Sequence, residues 1–247
     1  MTELLYLQDF DVETCPAKVL SVSTSSDDVS IKTDIILDRT CFYPRGGGQD
    51  WDTGVITTGD TVAQVDEVRL DEQGLVHHLC TQTGEIKVGD EVSCAVDHER
   101  RLINTRLHSA GHMIDMAVDN LGFTWKPTKG QHYPHLSAVE YKGDLGDVDI
   151  EILRQDIEAR ANELQHQEKD NSLAFMNMEE LHIICRHVPE FIPKNKPCRV
   201  MIYGENFGVP CGGTHVRKLT DIGHVHVPKV KCKNGIIRVN YTVEGIN

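Results

Sequence analysis

HERRLINTRLHSAGHMIDMAVDNL, residues 98–121, is the stretch on which the reading of this chain turns. Ile103, Leu107, Ala110, Ile114, Val118 and Leu121 recur at steps of three and four, the spacing of one apolar helix face, and Gly122 stands where a helix C-terminus favours glycine. At about 100° per residue, His108 and His112 fall together on one flank of that stripe, free to meet something outside the core. The helix divides two kinds of sequence.

Before it, short β-prone runs alternate with turn signals at 19–23, 29–37, 54–58, 62–70, 74–79 and 91–96, with Gly59-Asp60 and Gly89-Asp90 between them. The pattern predicts a small β-barrel over residues 1–96. After the helix come a loop through 127–134 and a strand near 137–141. A second helix is expected over 148–168, with Ile150, Leu153, Ile157, Ala161 and Leu164 at helical spacing and Asp147 as cap. Strands then return at 198–203, 223–231 and 236–243. Residues 97–247 therefore read as an α+β domain, an antiparallel sheet with packed helices.

The 247 residues carry a formal net charge of −13, which on its face argues against a nucleic-acid partner. That charge is unevenly spread. Residues 1–99 hold 20 Asp and Glu against 6 Lys and Arg, a net −14, whereas residues 100–247 hold 18 against 19, a net +1. Basic residues gather at Arg100, Arg101 and Arg106, at Lys126 and Lys129, at Arg217 and Lys218, and at Lys229, Lys231, Lys233 and Arg238, where phosphates would find partners. The first ten residues have neither a basic start nor a long apolar run, and the eight cysteines form no CxxC pair. Both point to the cytoplasm and to reduced thiols.

The chemistry is concentrated in two pairs: His108 and His112 on the helix, and Cys211 and His215 in Cys211-Gly212-Gly213-Thr214-His215. Four borderline ligands in two pairs spaced four apart match what a tetrahedral Zn²⁺ site requires. The second pair cannot be helical at reasonable cost with two glycines inside it, so a strand-to-turn path is expected. Ser109 stands where zinc proteases of the HExxH type carry glutamate, which excludes that route to peptide hydrolysis.

Together with the run Phe42-Tyr43-Pro44-Arg45-Gly46-Gly47-Gly48-Gln49-Asp50-Trp51-Asp52-Thr53-Gly54, these motifs resemble the editing region of alanyl-tRNA synthetase, in the same order. The chain is most similar to the freestanding AlaX editing proteins of medium length, which keep the Gly-rich segment and lack a C-terminal oligomerisation domain. The resemblance implies a deacylase acting at one Zn²⁺, held by His108, His112, Cys211 and His215, on misacylated tRNA(Ala). Serine and glycine are the acyl groups an alanine pocket excludes poorly, because a small size difference or an added hydroxyl costs too little binding energy.

By the same resemblance Arg45, Gly47, Gly48 and Gln49 face the tRNA end, and Gly111, Thr128, Lys129 and His132 line the amino-acid pocket. The general base is not assigned. Gly111 departs from the family, whose editing domains commonly have threonine there, so the pocket lacks a hydroxyl and a methyl. Thr128, His132 and His135 are the candidates to replace them. Two alternatives stand beside this reading: a zinc-stabilised module that binds tRNA or protein without turnover, and a threonyl-type deacylase. No ATP motif accompanies these parts, against a ligase.

Overall fold

The barrel expected from the sequence is present in the structure, a computed structural model that describes residues 1–26, 31–166, 170–190, 192, 197–204 and 206–246. The chain runs through β1 (Glu3–Leu4), β2 (Thr14–Ser26), β3 (Ile31–Leu37), β4 (Arg39–Thr40), β5 (Gly54–Thr58), β6 (Thr61–Leu70), β7 (Val76–Thr83) and β8 (Glu91–Val96). Six of these close in the order β2-β3-β7-β6-β5-β8, while β1 pairs in parallel with β4. Side chains alternate faces along a strand, so Cys15, Ala17 and Val19 of β2 and Val92 and Cys94 of β8 all point inward. A small barrel has little interior volume, which the cysteines and alanines among Ile35, Leu37, Ile56 and Val65 respect. Val29 and Ser30, in one of the expected strands, lie outside the described residues.

By its internal contacts the chain divides into one unit of Met1–Gly46 with Asp50–Leu102 and another of Gly47–Gln49 with Ile103–Asn247. The segment Gly47–Gln49, which the sequence places with the barrel, thus groups with the second unit. Asp52 stays in the first, where it organises the chain around it. Its carboxylate accepts from the Tyr43 amide at 2.6 Å and from Arg101 Nε at 3.0 and 3.1 Å. Arg101 also donates to the Cys41 and Val12 carbonyls at 2.7 and 3.0 Å. Both side chains of the pair are buried, Asp52 completely.

The second unit contains α1 from Ile103 onward; the whole helix spans His98–Asn120. It ends as expected: Gly122 has φ of 87°, and the Phe123 amide reaches back to the Val118 carbonyl. Then follow β9 (Lys126–Tyr133), β10 (Leu136–Lys142), α2 (Ile150–Leu164), β11 (Ser172–Met176), α3 (Met178–Ile184), β12 (Cys198–Tyr203), β13 (Phe207–Pro210), β14 (Val225–Lys233) and β15 (Ile236–Val243). They form an antiparallel sheet β14-β15-β10-β9 and a smaller antiparallel sheet β11-β12-β13.

Several sequence expectations need correction. The loop expected at 127–134 is strand β9, paired with β10 from Leu136↔Tyr133 to Lys142↔Lys126. It is a polar edge strand, exposed or half-buried except at His132, and shows no apolar alternation to read. The second helix is shorter than expected and begins after Asp149, whose side chain caps the Glu151 and Ile152 amides; Asp147 is not the cap. The expected end of that helix at Gln167 and Glu168 lies outside the described residues. Strands β11 and β13 and helix α3 were not expected, although Asn177 and Glu180 make a capping box before α3.

α2 also solves an edge problem. β14 terminates its sheet, and an unpaired edge leaves amides and carbonyls exposed. Asn162 bonds both the amide and the carbonyl of Val225, Glu158 accepts from the Val227 amide, and Arg154 and Gln165 donate to the Val227 and Gly223 carbonyls. Arg154, Glu158 and Asn162 are four apart on one helix face, so the helix stands in for a neighbouring strand.

Candidate metal centre

Three elements of the second unit bring the two ligand pairs together. α1 turns His108 and His112 to one side; β13 ends at Pro210 and releases Cys211 through His215 as a loop. One ring nitrogen of each histidine and Cys211 Sγ lie within 4.8 Å of one another. Cys211 Sγ is 3.4 Å from His108 Nε2 and 3.2 Å from His215 Nε2. The glycine before Thr214 is needed for this approach, since a Cβ at Gly213 would collide with the His108 ring. All three histidines are buried.

The opposite nitrogen of each ring is held from behind. His108 Nδ1 meets Gln49 Oε1 at 2.7 Å, His112 Nδ1 meets Asp115 Oδ2 at 3.2 Å, and His215 Nδ1 meets the Tyr203 hydroxyl at 3.0 Å. Such contacts fix ring orientation and tautomer, leaving the Nε2 atoms to converge. Further bonds tie the loop to the helix. Ser109 Oγ donates to the Thr105 carbonyl and accepts from the Val216 amide, and the Thr105 and Thr214 hydroxyls are 2.8 Å apart. Arg199 holds the Cys211 and Gly213 carbonyls at 2.7 and 3.0 Å.

The donor set fits a borderline cation. His112 Nε2 is buried without a hydrogen-bond partner, an unpaid cost unless something binds there. Burial, then neighbouring rings, drives His108 and His215 well below the usual histidine range, so both present neutral nitrogen lone pairs. Burial works against charge on Cys211 and His112 as well, yet each favours the charged form of the other. The thiol is pulled down by His112, the Gly213 amide and Arg199, and His112 is pushed up to about 10 by Asp115 and Cys211. A thiol drawn toward its anion beside imidazole nitrogens is a donor set where a metal ion can take the place of protons.

Gln49 is completely buried and bonds His108 Nδ1, the Thr214 amide and the Thr214 hydroxyl. The resemblance turns it toward the tRNA end; in the structure its buried side chain stands behind His108. Gln49→Ala should therefore lower metal affinity by about 10- to 100-fold, the usual effect of losing such a support. Competition with a chromophoric zinc chelator measures this, and an unchanged affinity would remove Gln49 from the centre.

His132 explains Gly111. A Cβ on Gly111 would collide with the His132 ring and lie 3.0 Å from the Tyr241 hydroxyl. The space a threonine would fill is taken by His132, whose ring stacks on His108 with centroids 4.3 Å apart. Tyr241 donates to the Leu107 carbonyl at 2.9 Å, so its oxygen accepts from His132 Nδ1 at 2.6 Å. Burial, then His112, pulls His132 down to about 3, and the neutral ring keeps Nε2 as an acceptor. The amide of His132 is fixed by the Gly48 carbonyl at 2.8 Å; Gly48 has φ of 78°, and any side chain there would collide with Gly130.

Beside these groups lies a cavity of about 640 Å³, walled by His108, His112, His132, Trp125, Lys126 and Lys129 among others. Gly47 and Thr128 also line it, and Phe123 stacks on Trp125 with centroids 4.2 Å apart. Arg45 belongs to the first unit, exposed, with its guanidinium 5.6 Å from the Trp51 ring centroid. Thr105, Ser109, Asp115, Tyr203 and Tyr241 are site residues the sequence reading missed.

Within the α+β unit, a Cys-His₃ cluster that could hold a metal ion lies beside a cavity. Residues 3–100 match the family described as tRNA synthetases class II (A). The chain is 30% identical to the alanyl-tRNA editing protein AlaX-M of Saccharolobus solfataricus, over 99% of this chain and 100% of that one. It is 28% identical to the alanyl-tRNA editing protein AlaX-L of Pyrococcus horikoshii, over 98% of this chain and 58% of that one. Against the alanine--tRNA ligase of Kineococcus radiotolerans identity is 34%, over 83% of this chain and 23% of the ligase. The chain belongs to the AlaX family of freestanding alanyl-tRNA editing proteins. No described helix is long and apolar enough to cross a membrane.

Proposed function

We propose that this chain is a trans-editing hydrolase that cleaves the aminoacyl ester of misacylated tRNA(Ala), with Ser-tRNA(Ala) preferred and Gly-tRNA(Ala) accepted. One observation carries the reading: in a chain similar end to end to an alanyl-tRNA editing protein, four ligand atoms converge within 4.8 Å beside a cavity of about 640 Å³. That volume is in the range of small-ligand sites, roughly 300–1,000 Å³.

His108, His112, Cys211 and His215 would hold one Zn²⁺, which when bound supplies positive charge near the ester carbonyl and lowers the pKa of a nearby water. The remaining roles belong to the chain. Phe123 and Trp125 offer the aromatic faces on which a terminal adenine stacks, and Lys126 and Lys129 offer charge to its phosphates. Arg45 is an exposed cation for the acceptor strand. His132 Nε2 is an acceptor for a hydroxyl or ammonium of the acyl group, the discrimination that Gly111 cannot supply.

Deacylation of Ser-, Gly- and Ala-tRNA(Ala), with Ser-tRNA(Thr) as the threonyl-type substrate, tests the proposal. Ser-tRNA(Ala) should be hydrolysed far faster than Ala-tRNA(Ala), because editing must spare the correct product. Equal rates for the two, or no turnover by zinc-replete protein, would leave the binding-module reading; preference for Ser-tRNA(Thr) would leave the threonyl one. Gly111→Thr should slow Ser-tRNA(Ala) hydrolysis about a hundredfold by displacing His132, with zinc still bound. Adding His132→Ala to that variant should recover its thermal stability, since the collision is gone. A Gly111→Thr protein with unchanged rates would place this position outside the pocket.

A further inference from the structure

A second group of metal-ligating side chains lies away from the Cys-His₃ cluster. His224, just before β14, and His226, within it, are two apart, so in extended chain their rings leave the same face, while Val225 and Val227 between and after them are fully buried. The rings converge, with centroids 4.5 Å apart. Glu158 of α2 joins them: one nitrogen of each ring and one carboxylate oxygen lie within 4.8 Å of one another.

The carboxylate is not a loose surface group. Glu158 Oε2 accepts from the Val227 amide at 2.7 Å, which fixes the side chain against the strand that carries both histidines. A preorganised ligand loses less freedom on binding than a solvated glutamate, and a carboxylate oxygen bonded to backbone is the usual support of a metal ligand. Arg154 lies 3.5 Å from the same oxygen and would oppose a cation, but its guanidinium is already engaged by Glu151 at 2.7 Å and by the Val227 carbonyl at 2.9 Å.

We infer that Glu158, His224 and His226 form a second, solvent-accessible site for a borderline divalent transition-metal ion, with Zn²⁺, Co²⁺ or Ni²⁺ as occupants. Two imidazoles with one carboxylate select these ions over Mg²⁺ and Ca²⁺, which require oxygen ligands. Both rings are exposed, so the remaining coordination positions belong to water, and binding is weaker and more exchangeable than in a closed four-ligand site. The bound ion would link α2 to β14 across the edge that Asn162 and Glu158 already cover.

The test is Zn²⁺ titration by calorimetry into protein as purified, with bound metal counted before and after. Wild type should take up one further equivalent per chain, and His224→Ala with His226→Ala should take up none. Glu158→Gln keeps an oxygen for the Val227 amide yet should bind that equivalent at least about tenfold more weakly. Mg²⁺ should give no uptake. Cys211→Ala protein should still take up the extra equivalent, so loss of the buried centre and loss of this one are told apart. The inference is overturned if wild type takes up no further ion, if the double histidine variant retains it, or if Glu158→Gln binds as wild type does.

Discussion

Cys211→Ala should cut hydrolysis of Ser-tRNA(Ala) by about a thousandfold and remove the tightly held zinc equivalent from the same preparation. Cys211 is the only anionic donor among the four proposed ligands, and its sulfur is within 3.4 Å of two of the three rings. Without it, three buried imidazoles face one another with no negative charge between them. A metal centre contributes several kcal/mol of charge stabilisation to ester cleavage, and about 4 kcal/mol corresponds to that loss in rate. Metal analysis and single-turnover deacylation on the same sample check it. Cobalt-substituted protein adds a second readout, because the thiolate-to-cobalt absorption should vanish in the variant. Unchanged occupancy would mean the ligands are misassigned; lost occupancy with unchanged rates would make the centre structural.

The histidine pair was legible because a helix repeats regularly. Leu107, Ala110, Ile114 and Val118 set the phase of α1, and once the phase is set His108 and His112 must share a flank. The Cys211–His215 loop was legible from its glycines. What lies behind the ligands was not. Tyr203 and Tyr241 touch the site from β12 and β15, and no spacing rule links residues joined only by the fold; Asp115, three residues after His112 on α1, did stand at a readable helical spacing. Gln49 shows the limit most clearly: its motif marked it as important, yet its partner His108 is 59 positions away. Gly111 looked like a gap in the pocket because the sequence alone does not show that His132 fills it. In the fold, the alternating barrel strands could be read directly. β9 could not, because a polar edge strand whose one buried side chain is His132 shows no apolar alternation, and its proline and glycine mimic a loop. α3 carried a readable signal in Asn177 and Glu180 but is only seven residues long.

Asp52→Ala should destabilise the protein by about 3–5 kcal/mol, the cost of leaving a buried charge without its partner. Arg101 is 4% exposed and cannot lose its proton, so removal of the carboxylate strands a guanidinium inside the first unit. The Cys41 and Val12 carbonyls still accept from it, but they carry no formal charge, and the Tyr43 amide loses its acceptor as well. The pair matters for local order because it joins the Gly-rich segment, at Asp52, to the first turn of α1, at Arg101. Urea denaturation followed by circular dichroism measures the loss as a lower midpoint at unchanged slope. A paired replacement separates charge from packing: Asp52→Leu with Arg101→Met removes both charges and fills similar volume, which elsewhere is close to neutral in stability. If the double variant regains most of what Asp52→Ala loses, the penalty is the unpaired charge. If Asp52→Ala itself falls by less than about 1 kcal/mol, water reaches Arg101 and the buried-pair account of this segment fails.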